Sequence, residues 1–177
     1  YRIAIVRDIT LEKKNENQLI FSKKILQQII DKVNLKRILL SVIKYIEKFE
    51  PSFKCSILVL DESGEKLQFG AGPSLPKFYN DAVNNLQIGN GMGSCGSAAF
   101  TKKRVIVSDI RVHPYWENYK NLAAKAGLRS CWSDPILGKS KQVLGTFAIY
   151  KSTVSQPKKE ELLLIESFSK LISLAIE

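Results

Sequence analysis

Four glycines and a cysteine crowd into the eight residues Gly89-Asn-Gly-Met-Gly-Ser-Cys-Gly96. Glycine at this density lets the backbone turn tightly and approach a ligand closely. Ser94 or Ser97 is placed to cap a short helix and leave its first N–H groups facing a cavity. Gly91-Met-Gly93-Ser-Cys-Gly96 also satisfies G-x-G-x-x-G, and Asp109 ends a strand candidate about where a dinucleotide fold puts its ribose-binding acid. Three features oppose that chemistry. The preceding Asp81–Asn90 is too polar and short for the required strand, the segment from Gly96 to Val105 is too short for a crossover helix, and no second strand–helix–strand unit follows. A kinase glycine loop lacks its V-A-I-K and H-R-D partners, and a phosphate loop lacks Gly-Lys-Ser/Thr. Gly89–Asp109 reads instead as the rim of a binding site.

The other candidates are few. Cys55, Cys95 and Cys131 make an odd count without paired spacing, which points to a reducing compartment rather than a disulfide scaffold. One histidine, His113, and no Cys-x-x-Cys leave little for a structural zinc. Arg129 is placed to pair an anionic ligand, and Trp116 to stack on a ligand or close a pocket. The balance of 27 basic to 17 acidic residues gives a formal charge of +10. The lysines are scattered in pairs, with no arginine-rich arm or aromatic-interleaved basic strand, so nucleic acid is not the expected partner. No apolar run approaches the ~18 residues that span a bilayer. Direct membrane contact is therefore not expected either, and the cytoplasm is the expected location. Met92 is the only methionine and Tyr1 falls inside an apolar run, so the expectation is a piece of a longer protein.

These residues need elements to position them. Tyr1–Ile9 alternates and reads as a terminal strand. From Leu11 to Lys32 the chain is helical in character, and Leu19, Ser22, Leu26, Ile29 and Val33 recur at spacings of three and four. That stripe fits either a parallel dimer seam or a helix lying on its own domain. Asn34 caps a second helix with Leu35, Ile38, Leu39, Val42, Ile43 and Ile46 on one face. Phe53–Leu60 and Lys66–Ala71 form a hairpin, and Pro76–Asn85 a short helix. Pro114–Ala126 reads as a helix with Gly127 as its C-cap. In the strand Leu128–Leu137, Arg129, Cys131 and Ser133 share one face, and Ser130, Trp132 and Asp134 the other. Gln142–Tyr150 is the next strand, and Pro157 opens the last helix. The order predicts an α+β domain with a mostly antiparallel sheet, terminal helices packed on one face and a pocket on the other.

Several strings resemble the GAF family of sensory domains: Gly93-Ser-Cys-Gly96-Ser-Ala-Ala99, Val105-x-Val107-Ser-Asp109-Ile110, Pro114-x-Trp116, Leu128-Arg-Ser-Cys-Trp132-Ser-x-Pro135-Ile136 and Val143-Leu-Gly145-Thr-Phe147-Ala-x-Tyr150. They look most like GAF domains found beside PAS modules, cyclic-di-GMP enzymes or histidine kinases in bacterial signalling proteins. Val6-Arg-Asp-Ile-Thr10-Leu-Glu-Lys-Lys14 resembles the closing strand and exit linker of a PAS domain. The implied organisation is the end of a truncated PAS domain over 1–10, a helical linker over 11–34 and a GAF domain over 35–177. The resemblance implies a non-catalytic sensory or relay module, a homodimer through its terminal helices, that binds a small molecule or passes a PAS signal to an output domain. It implies a pocket lined from Ser94, Cys95, Asp109, His113, Trp116, Arg129, Cys131 and Ser133, with the ligand and any cofactor unknown. The Asn-Lys-x-x-Phe-Asp-Glu string of cyclic-nucleotide GAF domains and the Cys-His pair of bilin-binding ones are absent. His113 before Pro114 reads as a loop residue more than a haem ligand. The enzyme alternative resembles free methionine-(R)-sulfoxide reductase, using Cys95 and Cys131. Its middle-segment cysteine has no counterpart within Glu117–Ala126.

Overall fold

The computed structural model describes the backbone of Arg2–Glu177 and the side chains from Glu12 onward. Its elements run α1 (Arg2–Ile30), α2 (Leu35–Phe49), β1 (Lys54–Leu60), β2 (Lys66–Ala71), α3 (Lys77–Val83), β3 (Leu86–Gln87), α4 (Gly93–Thr101), β4 (Val105–Val107), a 3₁₀ turn (Pro114–Trp116), α5 (Lys120–Lys125), β5 (Ser130–Leu137), β6 (Val143–Lys151) and α6 (Lys159–Ile176). The strands form one six-stranded sheet in the order β3-β2-β1-β6-β5-β4, with every neighbouring pair antiparallel.

The sheet separates two cores. On one face α1, α2 and α6 bury Ile25, the α2 stripe Ile38, Leu39, Val42, Ile43 and Ile46, and Ile165, Phe168 and Ile172 against Phe53, Ile57, Trp132, Phe147 and Ile149. Phe21 of α1 stacks on Tyr45 of α2 at 3.8 Å between centroids, and its edge meets Phe168 of α6 at 6.0 Å. Each fully buried aliphatic or aromatic side chain contributes on the order of 1.5–3 kcal/mol, so these helices are held by their apolar stripes more than by intrinsic propensity. On the other face α3, α4, the 3₁₀ turn and α5 cover Leu58, Val107, Cys131, Ala148 and Tyr150. Period-two alternation along β5 and β6 allocates these residues: Cys131 goes to one core and Trp132 to the other, as do Ala148 and Ile149. Gly145 lets β6 lie close to β1, because a Cβ there would stand 2.2 Å from the Leu58 carbonyl oxygen.

Two expected elements come out differently. The terminal strand over Tyr1–Ile9 is instead the start of α1, which runs continuously from Arg2. A lone strand leaves its N–H and C=O groups unpaired, whereas a helix satisfies them within the segment. Tyr1 and the inward-facing side chains expected of that strand lie outside the described residues. The expected helix over Pro114–Ala126 is broken into the 3₁₀ turn and α5. The N–H of Tyr119 donates to the Trp116 carbonyl at 2.8 Å, a tighter turn that breaks the α-helical path before Lys120. Asn34 caps α2 as expected, its side chain accepting from the Lys36 N–H at 3.0 Å.

Candidate functional site

The site is built on the sheet face opposite the terminal helices. α4 begins at Gly93 directly over β5 and β6, and Gly96 sits so close to β3 that a Cβ would fall 2.7 Å from the Gln87 carbonyl oxygen. That contact presses the first turn of α4 onto the sheet. Neither serine caps it. Ser94 Oγ accepts from Trp116 Nε1 at 2.9 Å, and Ser97 Oγ accepts from the Gly91 N–H at 3.1 Å. Both hydroxyls therefore hold the surrounding loops rather than the helix end.

A cavity of about 20 Å³ remains between Ser94 and Cys95 of α4, Leu58 of β1, Tyr79 of α3, Trp116 and Tyr150. That is room for about one water molecule. Its walls are mutually perpendicular rings: Tyr79 against Tyr150 at 5.8 Å, Trp116 against Tyr150 at 6.5 Å and Trp116 against Tyr119 at 6.5 Å. A chain of neutral polar groups crosses its floor. Tyr150 OH lies 3.3 Å from Ser56 Oγ and 3.7 Å from Cys95 Sγ, which accepts from Ser133 Oγ at 3.6 Å. Burial pushes the Cys95 thiol up, and it pushes Cys131, Tyr79 and Tyr150 well above their ordinary values. Proximity to Cys95 raises Cys131 further. All four are protonated at neutral pH, so the site offers hydrogen-bonding O–H and S–H groups but no thiolate nucleophile. Among the described residues no group of His, Cys, Asp and Glu is placed to hold a metal ion.

Of the residues expected to form the pocket, Ser94, Cys95 and Trp116 line this cavity. Cys131 and Ser133 are fully buried in the wall behind it. Asp109, His113 and Arg129 stand elsewhere. Asp109 is clamped by Arg111, whose Nη2 and Nε donate to its carboxylate at 2.6 and 3.0 Å and hold it down at a pKa of about 2. His113 caps the 3₁₀ turn, its Nδ1 accepting from the Tyr115 N–H at 3.2 Å, and partial burial lowers its pKa. Arg129 precedes the first ladder residue of β5 and opens onto a separate cleft with Arg111 and Lys120. Tyr79, Tyr119, Tyr150, Met92 and Ser56 complete the site and were not expected from the sequence. The alternation of β6 carried a signal for Tyr150, which shares its face with Ala148. Nothing local pointed to Tyr79, beyond its i,i+4 pairing with Val83 on α3.

A GAF domain profile matches residues 32–177. The chain belongs to the GAF domain family, and the antiparallel six-stranded sheet with its terminal helices packed on one side is the fold of that family. It is 37% identical over 174 residues to the methyl sulfide methyltransferase-associated sensor of Methanosarcina acetivorans, an alignment covering 98% of this chain. The chain spans 17% of the length of that relative. Among solved structures, it is similar to the GAF domain of a phosphoenolpyruvate-protein phosphotransferase from Coxiella burnetii, with a TM-score of 0.72 and 19% identity over 91% of this chain and 93% of that one. It is also similar to the free methionine-R-sulfoxide reductase of Neisseria meningitidis, with a TM-score of 0.68 and 17% identity over 88% of this chain and 85% of that one. Among the described residues no helix is long and apolar enough to cross a membrane.

Proposed function

We propose that this chain is a non-catalytic sensory or relay module of a multidomain signalling protein acting in the cytoplasm. The Ser94–Cys95–Trp116 cavity, with room for about one water in this structure, would widen to take up a small molecule, or the domain would take a signal from its N-terminal side, and either would pass a packing change to the terminal helices. The observation that carries this reading is the division of the core by one sheet, with the cavity on one face and α1, α2 and α6 on the other. A change in the cavity wall shifts the population between two packings of those helices. In the full-length protein α6 would hand that shift to an output domain of the histidine-kinase or cyclic-di-GMP class, and a PAS domain upstream of α1 would supply a second input.

The cavity lining favours an uncharged ligand, since no carboxylate, lysine or arginine is among its residues. The reductase alternative keeps one point in its favour, that Cys95 and Cys131 are close neighbours on the cavity side of the sheet. Against it, both thiols are held protonated by burial and Glu117–Ala126 supplies no third cysteine.

Hydrogen exchange of Trp116→Phe tests the relay. The substitution removes the indole donor to Ser94 and keeps most of the ring packing. Faster exchange is expected in the first turn of α4 and, through the sheet, in the first turn of α6. Unchanged α6 amides beside a loosened α4 would refute the relay. Turnover of free methionine sulfoxide with a thiol reductant would overturn the non-catalytic reading.

A further inference from the structure

α5 has a second face. Its flank carrying Leu122, with Tyr119 just before it, borders the inner cavity, while Lys120 and Ala124 face outward onto a cleft of about 440 Å³. Ile110, Arg111, Arg129 and Ser152 form the rest of that cleft's lining with Gly127 and Leu128, and no carboxylate is among the lining residues. Arg111 and Lys120 are held from the sides, by Asp109 and Glu117, each at 2.6 Å. Arg129 is different. It makes no ion pair among the described residues, and its Nε is buried without a hydrogen-bond partner there.

Two ordinary explanations for such an arginine fail. It does not cap the C-terminus of α5, because the carbonyls of Leu122, Ala123 and Ala124 already accept from the N–H groups of Ala126, Leu128 and Gly127. Nor does it hydrogen-bond Asp109, which is held by the side chain and N–H of Arg111, although the Arg129 charge is near enough to help keep that carboxylate ionised. Meanwhile its backbone is fixed, with its N–H donating to Lys151 and its carbonyl accepting from Ile110. A buried guanidinium donor without a partner marks a place for a water or an ion. Arg111 and Lys120 are each paired to a carboxylate, so the three cations and two carboxylates leave a net positive charge that favours an anion over a water, and a guanidinium fork matches two oxygens of a phosphate or a carboxylate.

We propose that this cleft binds the phosphate or carboxylate group of a small molecule, with Arg129 as the fork and Arg111 and Lys120 as flanking charges. It is independent of the inner cavity, though α5 lies between the two, so an anion there would also steady one wall of that cavity.

The test is a titration of the 177-residue chain with inorganic phosphate, and in parallel with acetate, at constant ionic strength, read by ¹⁵N–¹H resonances. Saturable shifts of Arg129 Nε and of the Arg111 and Gly127 amides are expected. Arg129→Gln should weaken phosphate binding by about tenfold or more. Lys120→Gln, at a partly exposed position that leaves the fold intact, should weaken it severalfold, and Lys158→Gln, outside the cleft, should leave it unchanged. A response to phosphate alone assigns a phosphate ligand, and a response to acetate alone a carboxylate. No saturable shift with either anion, or equal binding by Arg129→Gln and Lys120→Gln, would overturn the proposal. Because the titration reads only cleft residues, its failure leaves the cavity relay untouched.

Discussion

Arg104 leaves the loop between α4 and β4 and passes around the sheet edge to the helical face. There it grips Asp134 with two parallel hydrogen bonds, from Nε to Oδ1 and from Nη2 to Oδ2 at 2.6 Å, and Nη2 also donates to the Leu162 carbonyl of α6 at 3.3 Å. Replacing Arg104 by Met keeps the apolar stem and removes the charge. Asp134, with 8% of its side chain exposed, is then left as a buried carboxylate without its counter-ion. Breaking a fully buried pair costs about 3–5 kcal/mol, and an exposed pair is worth about 0–1. Arg104 is 27% exposed, so the loss should fall between these limits, at roughly 2–3 kcal/mol. For a chain of this size that corresponds to a fall in Tm of about 5–10 °C. Urea unfolding followed by circular dichroism measures it, with the double variant Arg104→Met/Asp134→Leu as the control. The double variant removes both charges together and should return to within about 1 kcal/mol of the parent. Hydrogen exchange adds a local readout, since α6 amides near Leu162 should exchange faster in Arg104→Met. A loss below about 0.5 kcal/mol, or a double variant as unstable as the single one, would refute the assignment of an uncompensated charge.

Two further outcomes follow from the same structure. Of the expected seam residues Leu19, Ser22, Leu26, Ile29 and Val33, the structure packs Ile29 and Val33 against the domain together with Phe21 and Ile25, so the apolar stripe left exposed on the outer side of α1 is Leu19, Leu26 and Ile30. A homodimer through that stripe predicts that removing residues 1–32 lowers the sedimentation mass to that of one chain, and an unchanged association state would count against the seam. The buried thiols and tyrosines, with pKa values raised by burial, keep protons that the unfolded chain releases. Stability should therefore be full below the ordinary thiol range near ~8.5 and decline as pH rises above it toward the folded-state values. Urea midpoints across that range check this, and midpoints that rise with pH would contradict the burial of Cys55, Cys95 and Cys131.

Most of the architecture was legible because it rests on periodicity. The α2 stripe, the β5 alternation that sends Cys131 and Trp132 to opposite cores, and the Asn34 cap are all local patterns, and each is in place. The α1 start shows the limit of such patterns, because alternation in Arg2–Ile9 predicts a strand only if another strand is there to pair with it. The site was legible in part. Glycine density and Ser94–Cys95 marked the cavity edge, and Trp116 followed from the same family string. Asp109, His113 and Arg129 share the polar or charged character of ligand-binding residues, but each is engaged by its own sequence neighbourhood or lies past the end of the ladder. The tyrosines that close the cavity come from α3, the residue before α5, and β6, far apart in sequence, and only the packing of those segments on the sheet brings them together.

The sheet register gives the proposed relay a physical route from the cavity on one face of the sheet to the helices on the other. Cys131 and Ser133 back the cavity, and the residues interleaved with them on β5, Trp132 and Asp134, face α6. The strand between the faces is a common lever, and a displacement of its backbone reaches both. Lys151 adds a second tie at the end of β6, pairing with Glu161 of α6 at 2.8 Å while lying over the Trp132 ring at 5.2 Å. Both charged ties meet α6 in its first turn, at Glu161 and Leu162. At its far end α6 is held to the β5–β6 turn by two hydrogen bonds, Ser173 Oγ donating to the Leu137 carbonyl and the Glu177 carboxylate accepting from the Lys139 N–H. If the proposed relay operates, a shift in β5 or in the α4–β4 loop would reach α6 first through these two ties at its N-terminal end, while Ile165, Phe168 and Ile172 keep the rest of the helix packed in the core.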